Sequence, residues 1–136
     1  QNAGAVVEEL LRFDAPLHVF TRFAHEDISL PGDVTLDHGA EIALVLGAAN
    51  RDPKVFETPD RFDCQRTLNP QTSFGGGLHF CVGAPLARAE LAIALPALFA
   101  KFQDLQLAER PVFANSYHFH KHDRLIVRGS GFGSLT

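Results

Sequence analysis

The sequence predicts an α+β fold, with small sheets set between a short first helix and one long later helix. Three observations predict it. Apolar residues recur at helical spacing over residues 3–13 and run on through residues 84–102. Residues 18–48 instead alternate and are punctuated by turn residues. Residues 50–73 carry three prolines and no sustained period. At 136 residues the chain fits one domain, with residues 129–136 as a flexible tail.

The elements follow in order. Residues 3–13 make an amphipathic helix that stops before Asp14-Ala15-Pro16, because the residue ahead of a proline avoids helical angles. His18-Val19-Phe20-Thr21-Arg22-Phe23 alternates as a strand, and Pro31-Gly32-Asp33 and His38-Gly39 mark turns. Glu41 to Leu46 is a more apolar strand or a strand-to-helix segment. An irregular stretch as long as 50–73 inside a compact domain is usually functional or disordered. Residues 84–102 make the long helix, with Pro85 in its first turn and an expected bend at Pro96. Residues 112–128 predict a terminal hairpin with Asp123 near its turn.

Composition narrows the function. The net charge of −4 and the lack of a basic run argue against a nucleic-acid partner. No stretch of ~20 apolar residues predicts a membrane span, and Gln1-Asn2-Ala3-Gly4 opens no secretory signal. Two cysteines, Cys64 and Cys81, make no disulfide scaffold, so a reducing cytoplasm is expected. The chain has no methionine and begins almost inside a helical pattern, which predicts a piece of a longer protein.

The chemistry concentrates in Phe74-Gly75-Gly76-Gly77-Leu78-His79-Phe80-Cys81-Val82-Gly83. Glycines let a loop pass close beneath a flat macrocycle and adopt positive φ. The helix that follows presents free N–H groups and a partial positive charge, which stabilise a thiolate. Such a sulfur is fit to ligate a haem iron, with Phe74 shielding it from water. A simpler reading of the glycines alone is a plain turn with Cys81 packed as a small hydrophobe. A second constellation is His118-Phe119-His120-Lys121-His122. On an extended strand His118, His120 and His122 share a face and would converge on one divalent metal. The other reading is an exposed polar strand face.

Phe74, Gly75, Gly77, His79, Cys81 and Gly83 together resemble the cysteine-ligand loop of the cytochrome P450 family, the haem-thiolate monooxygenases, and Ala84 to Glu90 resembles the start of its proximal helix in soluble bacterial members. Glu9 and Arg12 resemble the family's Glu-x-x-Arg motif, and Pro59-Asp60-Arg61-Phe62-Asp63 its meander. Asn50-Arg51-Asp52-Pro53 and Phe56 resemble the start of that meander, whereas Cys64 matches no role and is read as packing. The resemblance runs in colinear order over residues 3–128.

The resemblance implies the C-terminal, haem-binding part of a fold that is mostly α as a whole, shortened at its N-terminus. It implies haem b as cofactor, with Cys81 as the axial ligand to iron. Arg22 and His79 would pair with the haem propionates, and Glu9, Arg12 and Arg61 would form a structural network. The family's oxygen-activating helix, with its acidic residue and threonine, precedes the Glu-x-x-Arg helix and lies outside these residues. The implied activity is oxygen insertion into a small organic substrate, with electrons from a ferredoxin or reductase, in the cytoplasm. A non-catalytic haem- or metal-binding fragment is the alternative. Exposed apolar surface is expected where an N-terminal portion or an oligomer partner docks.

Overall fold

The computed structural model describes residues 2–130. Helix α1 (Ala3–Phe13) starts on Asn2, whose side chain accepts from the Gly4 N–H at 3.0 Å. It ends at Asp14, whose N–H donates to the Leu10 carbonyl at 2.9 Å. Its inner face buries Val7 and Leu11, and also Glu9 and Arg12.

Strand β1 (Val19–Phe23) pairs antiparallel with β4 (Glu41–Val45), setting Arg22 opposite Ile42. Between them β2 (Ile28–Leu30) and β3 (Val34–Leu36) form a small hairpin. Its turn holds Gly32 and Asp33 at φ +83° and +57°, which is why a glycine follows Pro31 there. Strand β4 runs directly into the one-turn helix α2 (Leu46–Ala49), as the strand-to-helix reading expects. Residues 50–76 hold no helix or strand and follow an irregular path.

Helix α3 (Ala84–Lys101) continues through Pro96, which has no N–H for the carbonyl one turn back. It packs on α1. Residues Leu91 to Ala100 are all apolar, yet only Ala84 of the helix is buried. Leu86, Ile93 and Phe99 are exposed.

The C-terminal part is two nested pairs rather than one hairpin. Strand β5 (Gln106–Leu107) pairs with β8 (Val127–Arg128), and β6 (Val112–Phe113) with β7 (His122–Arg124). Asp123 therefore lies inside β7, not near a turn. The chain reverses over residues 114–121, where the Ala114 N–H donates to the Lys121 carbonyl at 2.9 Å. The loop has no glycine or proline, and its turn residues are Asn115 and Ser116, whose hydroxyl accepts from the Phe119 N–H at 3.2 Å. Of the expected tail, Ser130 is held by an N–H bond to the Asp104 carboxylate (2.8 Å), and residues 131–136 lie outside the described residues.

The apolar core (Val7, Leu11, Ala15, Leu46, Phe56 and Ala84 among others) is threaded by buried Glu9, Arg12, Asn50 and Ser73. No helix among the described residues is long and apolar enough to cross a membrane.

Candidate functional site

The loop from Phe74 to Gly83 is fixed by its own backbone. The Gly75 N–H donates to the Thr72 carbonyl (2.7 Å) and the Cys81 N–H to the Phe74 carbonyl (3.0 Å). Gly75 and Gly77 sit at φ +71° and +64°, where a side chain is strained. Gly77–His79 forms a single tight 3₁₀ turn, and the Phe80 ring meets Phe74 edge-on with centroids 6.4 Å apart. Gly83 lies close to the sulfur: a Cβ there would be 3.8 Å from Cys81 Sγ.

This loop sets Cys81, exposed, in a cleft of about 540 Å³. Pro16, Leu17, Phe20, Phe74 and His79 also line the cleft. Beside the sulfur, Leu78 and Val82 are fully exposed apolar side chains that line the same cleft. Helix α3 opens at Ala84, whose N–H donates to the Cys81 carbonyl at 3.1 Å, so the positive end of the helix dipole lies beside the cysteine. Cys64 has the opposite surroundings. Burial and the carboxylates of Glu9 and Asp63 push its thiol pKa up, so it is a poor thiolate.

The loop is anchored from behind by buried polar groups. Asn50 donates to Ser73 Oγ (2.8 Å) and accepts from the Thr72 N–H (2.8 Å), while the Ser73 hydroxyl donates to the Leu11 carbonyl (2.6 Å). Arg88 on α3 lies over the Phe74 ring at 4.6 Å and donates to Glu8 on α1 (Nη2 to Oε2, 3.1 Å). The Arg88 hydrogen bond holds the Glu8 carboxyl below the ordinary carboxylate range against its burial.

Glu9 and Arg12 form a buried pair at 2.8 Å, as the Glu-x-x-Arg resemblance implies. The third member differs. Arg61 contributes only its carbonyl, which accepts from Arg12 Nη2 at 3.1 Å, and its side chain is exposed. The second guanidinium on Glu9 belongs to Arg66, at 3.2 Å. The cause is chain path: Asp63 gives its N–H to Glu9 at 2.7 Å, and the turn beyond it brings Arg66 back over the carboxylate. Burial raises the Glu9 pKa, but hydrogen bonds from Arg12, the Asp63 N–H and Arg66 outweigh it and hold the carboxyl low.

Phe74, His79 and Cys81 thus share one cleft. Arg22 is not among the residues that line it: its guanidinium lies 5.5 Å from the ring of Phe20, which is, and Nη1 donates to the Thr21 carbonyl at 2.9 Å. The three-histidine face does not form. Residues 118–121 leave the strand, so the period-two assumption fails. His118 Nδ1 faces the Val19 carbonyl (3.3 Å), His122 packs on Phe113 (4.3 Å), and His120 turns to Asp14 and His18.

Sequence reasoning assigned no role to Glu8, Asn50, Arg66, Ser73 or Arg88. Asn50 stood inside a noticed motif, Asn50-Arg51-Asp52-Pro53, and an uncharged amide just after an apolar run was its only signal.

The Cytochrome P450 family profile matches residues 3–120. The chain belongs to the cytochrome P450 family. It is 46% identical over 115 residues to the biotin biosynthesis cytochrome P450 of Bacillus subtilis, covering 81% of this chain and 29% of that protein. It is 44% identical over 128 residues to the 6-deoxyerythronolide B hydroxylase of Saccharopolyspora erythraea, covering 92% of this chain and 31% of that protein. Among solved P450 structures, P450BioI in complex with a hexadec-9Z-enoic acid ligated acyl carrier protein superposes with TM-score 0.90 at 41% identity, over 93% of this chain and 33% of that one. The chain spans about a third of the length of such relatives.

Family membership implies haem b, and the P450 residues present fit it. An exposed cysteine sulfur lies in a cleft lined by Leu17, Phe20, Phe74, Leu78 and Val82, and glycines at positive φ set the path of the loop that carries it.

Proposed function

We propose that the polypeptide carrying these residues is a haem-thiolate monooxygenase that inserts oxygen into a small organic substrate, and that this chain supplies its proximal haem-ligand half. The observation that carries the reading is the exposed Cys81 sulfur in its cleft beside the start of α3, in a chain of the P450 family. Haem b, when bound, supplies the oxygen chemistry.

The chain's own residues supply placement and electrostatics. Cys81 ligates the iron as a thiolate, and the positive end of the α3 dipole stabilises its negative charge. Phe74 screens the sulfur from water, and Gly75, Gly77 and Gly83 let backbone approach closely. His79 and Arg22 hold the propionates. Leu17 and Phe20 give the macrocycle an apolar wall. Electrons come from a ferredoxin or reductase in the cytoplasm.

The test is the carbon monoxide difference spectrum of the reduced, longest native polypeptide that contains these residues. The reading expects a thiolate-type Soret band that Cys81→Ser abolishes and Cys64→Ser leaves intact. A nitrogen-type band, or loss of the thiolate band on Cys64→Ser, overturns it.

A second reading, a haem-binding fragment without catalysis, is favoured by one observation. The exposed apolar face of α3 has no cover among the described residues. It expects no hydroxylation by residues 1–136 alone with a reconstituted electron donor, and coupled turnover by that fragment removes it.

A further inference from the structure

We infer a second metal site, independent of haem, at the seam between α1 and the C-terminal loop: Asp14, His18 and His120 take one divalent transition-metal ion. The three come from separate segments and are brought together by backbone. Asp14 closes α1. The His18 N–H donates to the His118 carbonyl (2.9 Å) and the His120 N–H to the Pro16 carbonyl (3.0 Å), on either side of a bridge between Leu17 and Phe119. That short antiparallel ladder makes His18 and His120 diagonal neighbours on one face.

The side chains already converge. His120 Nε2 lies 3.0 Å from Asp14 Oδ1, and the His18 ring stacks on His120 with centroids 4.4 Å apart. Phe113 also stacks on His120, at 4.6 Å, and fixes the plane of that ring. One donor atom from each of the three residues lies within 4.8 Å of the others. The cluster opens on a cavity of about 430 Å³, which leaves room for water to complete a coordination shell.

Two arginines line the same cavity, and neither is a free charge. Arg12 is committed to Glu9, and Arg51 to Asp60 at 2.6 Å and to the Phe13 carbonyl at 2.7 Å. Two imidazoles and one carboxylate suit zinc, nickel, copper or ferrous iron and not magnesium or calcium, which want all-oxygen shells. The 3.0 Å gap between nitrogen and oxygen admits an ion with coordinate bonds of about 2.1 Å meeting near a right angle. His18 lies within 16° of parallel to His120, so binding turns it out of the stack to aim a nitrogen at the ion. Beneath it, Gly47 leaves room: a Cβ there would be in ordinary contact with the His18 ring, at 3.4 Å. The bound ion would tie the 114–121 loop to the end of α1 and stabilise the fold by mass action.

The test is calorimetric titration of zinc chloride into the haem-loaded, longest native polypeptide, with cobalt(II) absorption as the second readout. The site expects one zinc per chain, no response to magnesium, and a cobalt spectrum without a thiolate charge-transfer band. His120→Gln and His18→Asn should each weaken zinc binding roughly tenfold or more, while His122→Ala leaves it unchanged. If His120→Gln fails to fold, Asp14→Asn at the helix end gives the same reading. Zinc binding indifferent to these substitutions, a cobalt–thiolate band, or no saturable binding overturns the site. None of these outcomes depends on the Soret band that tests the haem-thiolate reading.

Discussion

Arg12 sets two N–H groups on the two oxygens of Glu9, at 2.8 Å each, with both side chains sealed from solvent. The other three guanidinium protons go to the carbonyls of Asn50, Pro59 and Arg61, at 2.9, 2.9 and 3.1 Å. All five donors of the arginine are therefore used. Glu9 in turn accepts from the Asp63 N–H, Arg66 and Asn69. A buried ion pair is tolerable only when its remaining hydrogen-bonding capacity is met. Here the irregular stretch after Asn50 meets it, and in doing so acquires a fixed path.

Removing one partner alone should be severe. Arg12→Ala leaves the Glu9 charge buried without its main partner and is expected to cost about 3–5 kcal/mol in chemical denaturation. The double variant with Glu9→Ala should cost clearly less than the sum of the singles. Additive costs would mean that the two residues act independently.

The same carboxylate predicts an acid limit. Glu9 has its folded pKa lowered, so the native state binds fewer protons than the unfolded chain. Its contribution is fully present above the unfolded value of about 4.3 and is lost as pH falls through the folded pKa. Glu8 shifts in the same direction through Arg88. Denaturation followed from pH 7 to pH 3 should show stability falling steeply at the acid end. Glu9→Gln, less stable throughout, should show a flatter acid slope, and an unchanged slope would exclude Glu9 as the source.

Arg66 and Arg61 should separate cleanly. Arg66 donates to Glu9 and to the carbonyls of Glu57, Thr58 and Arg61, at 3.2, 2.7, 3.0 and 3.0 Å. Arg66→Ala is expected to cost about 1.5–3 kcal/mol, the range for hydrogen bonds to charged groups. Arg61→Ala keeps the carbonyl that Arg12 uses and should stay within about 0.5 kcal/mol of the parent. The reverse order of costs would restore Arg61 as the second cation.

These cases show what the sequence made legible. Helix α1, the glycine turns and α3 follow from local rules of spacing and backbone angle, and their positions agree with the structure. The ligand loop is legible for a related reason: its chemistry needs cysteine, glycines and a following helix at nearly contiguous positions. Arg66 was not legible, because no period runs through residues 50–73 and only the fold decides which guanidinium turns inward. The histidine tract misleads because alternation presumes a strand, whereas residues 118–121 lie in a loop. Over residues 91–100 helix α3 is apolar on every side and carries no stripe that says which face meets α1.

The glycines of the ligand loop are not equivalent, and that difference can be measured. Gly75 and Gly77 hold φ at +71° and +64°, whereas Gly76 is extended at −162° with open space around the position of a Cβ. A left-handed backbone costs a side-chain-bearing residue about 1–2 kcal/mol. Gly75→Ala and Gly77→Ala should therefore each lower stability by about that amount in denaturation of the haem-free polypeptide. Gly76→Ala meets no such strain and restricts the unfolded chain, so its stability should match the parent or exceed it by up to about 1 kcal/mol. Equal destabilisation by all three substitutions would show that backbone angle is not what glycine provides here.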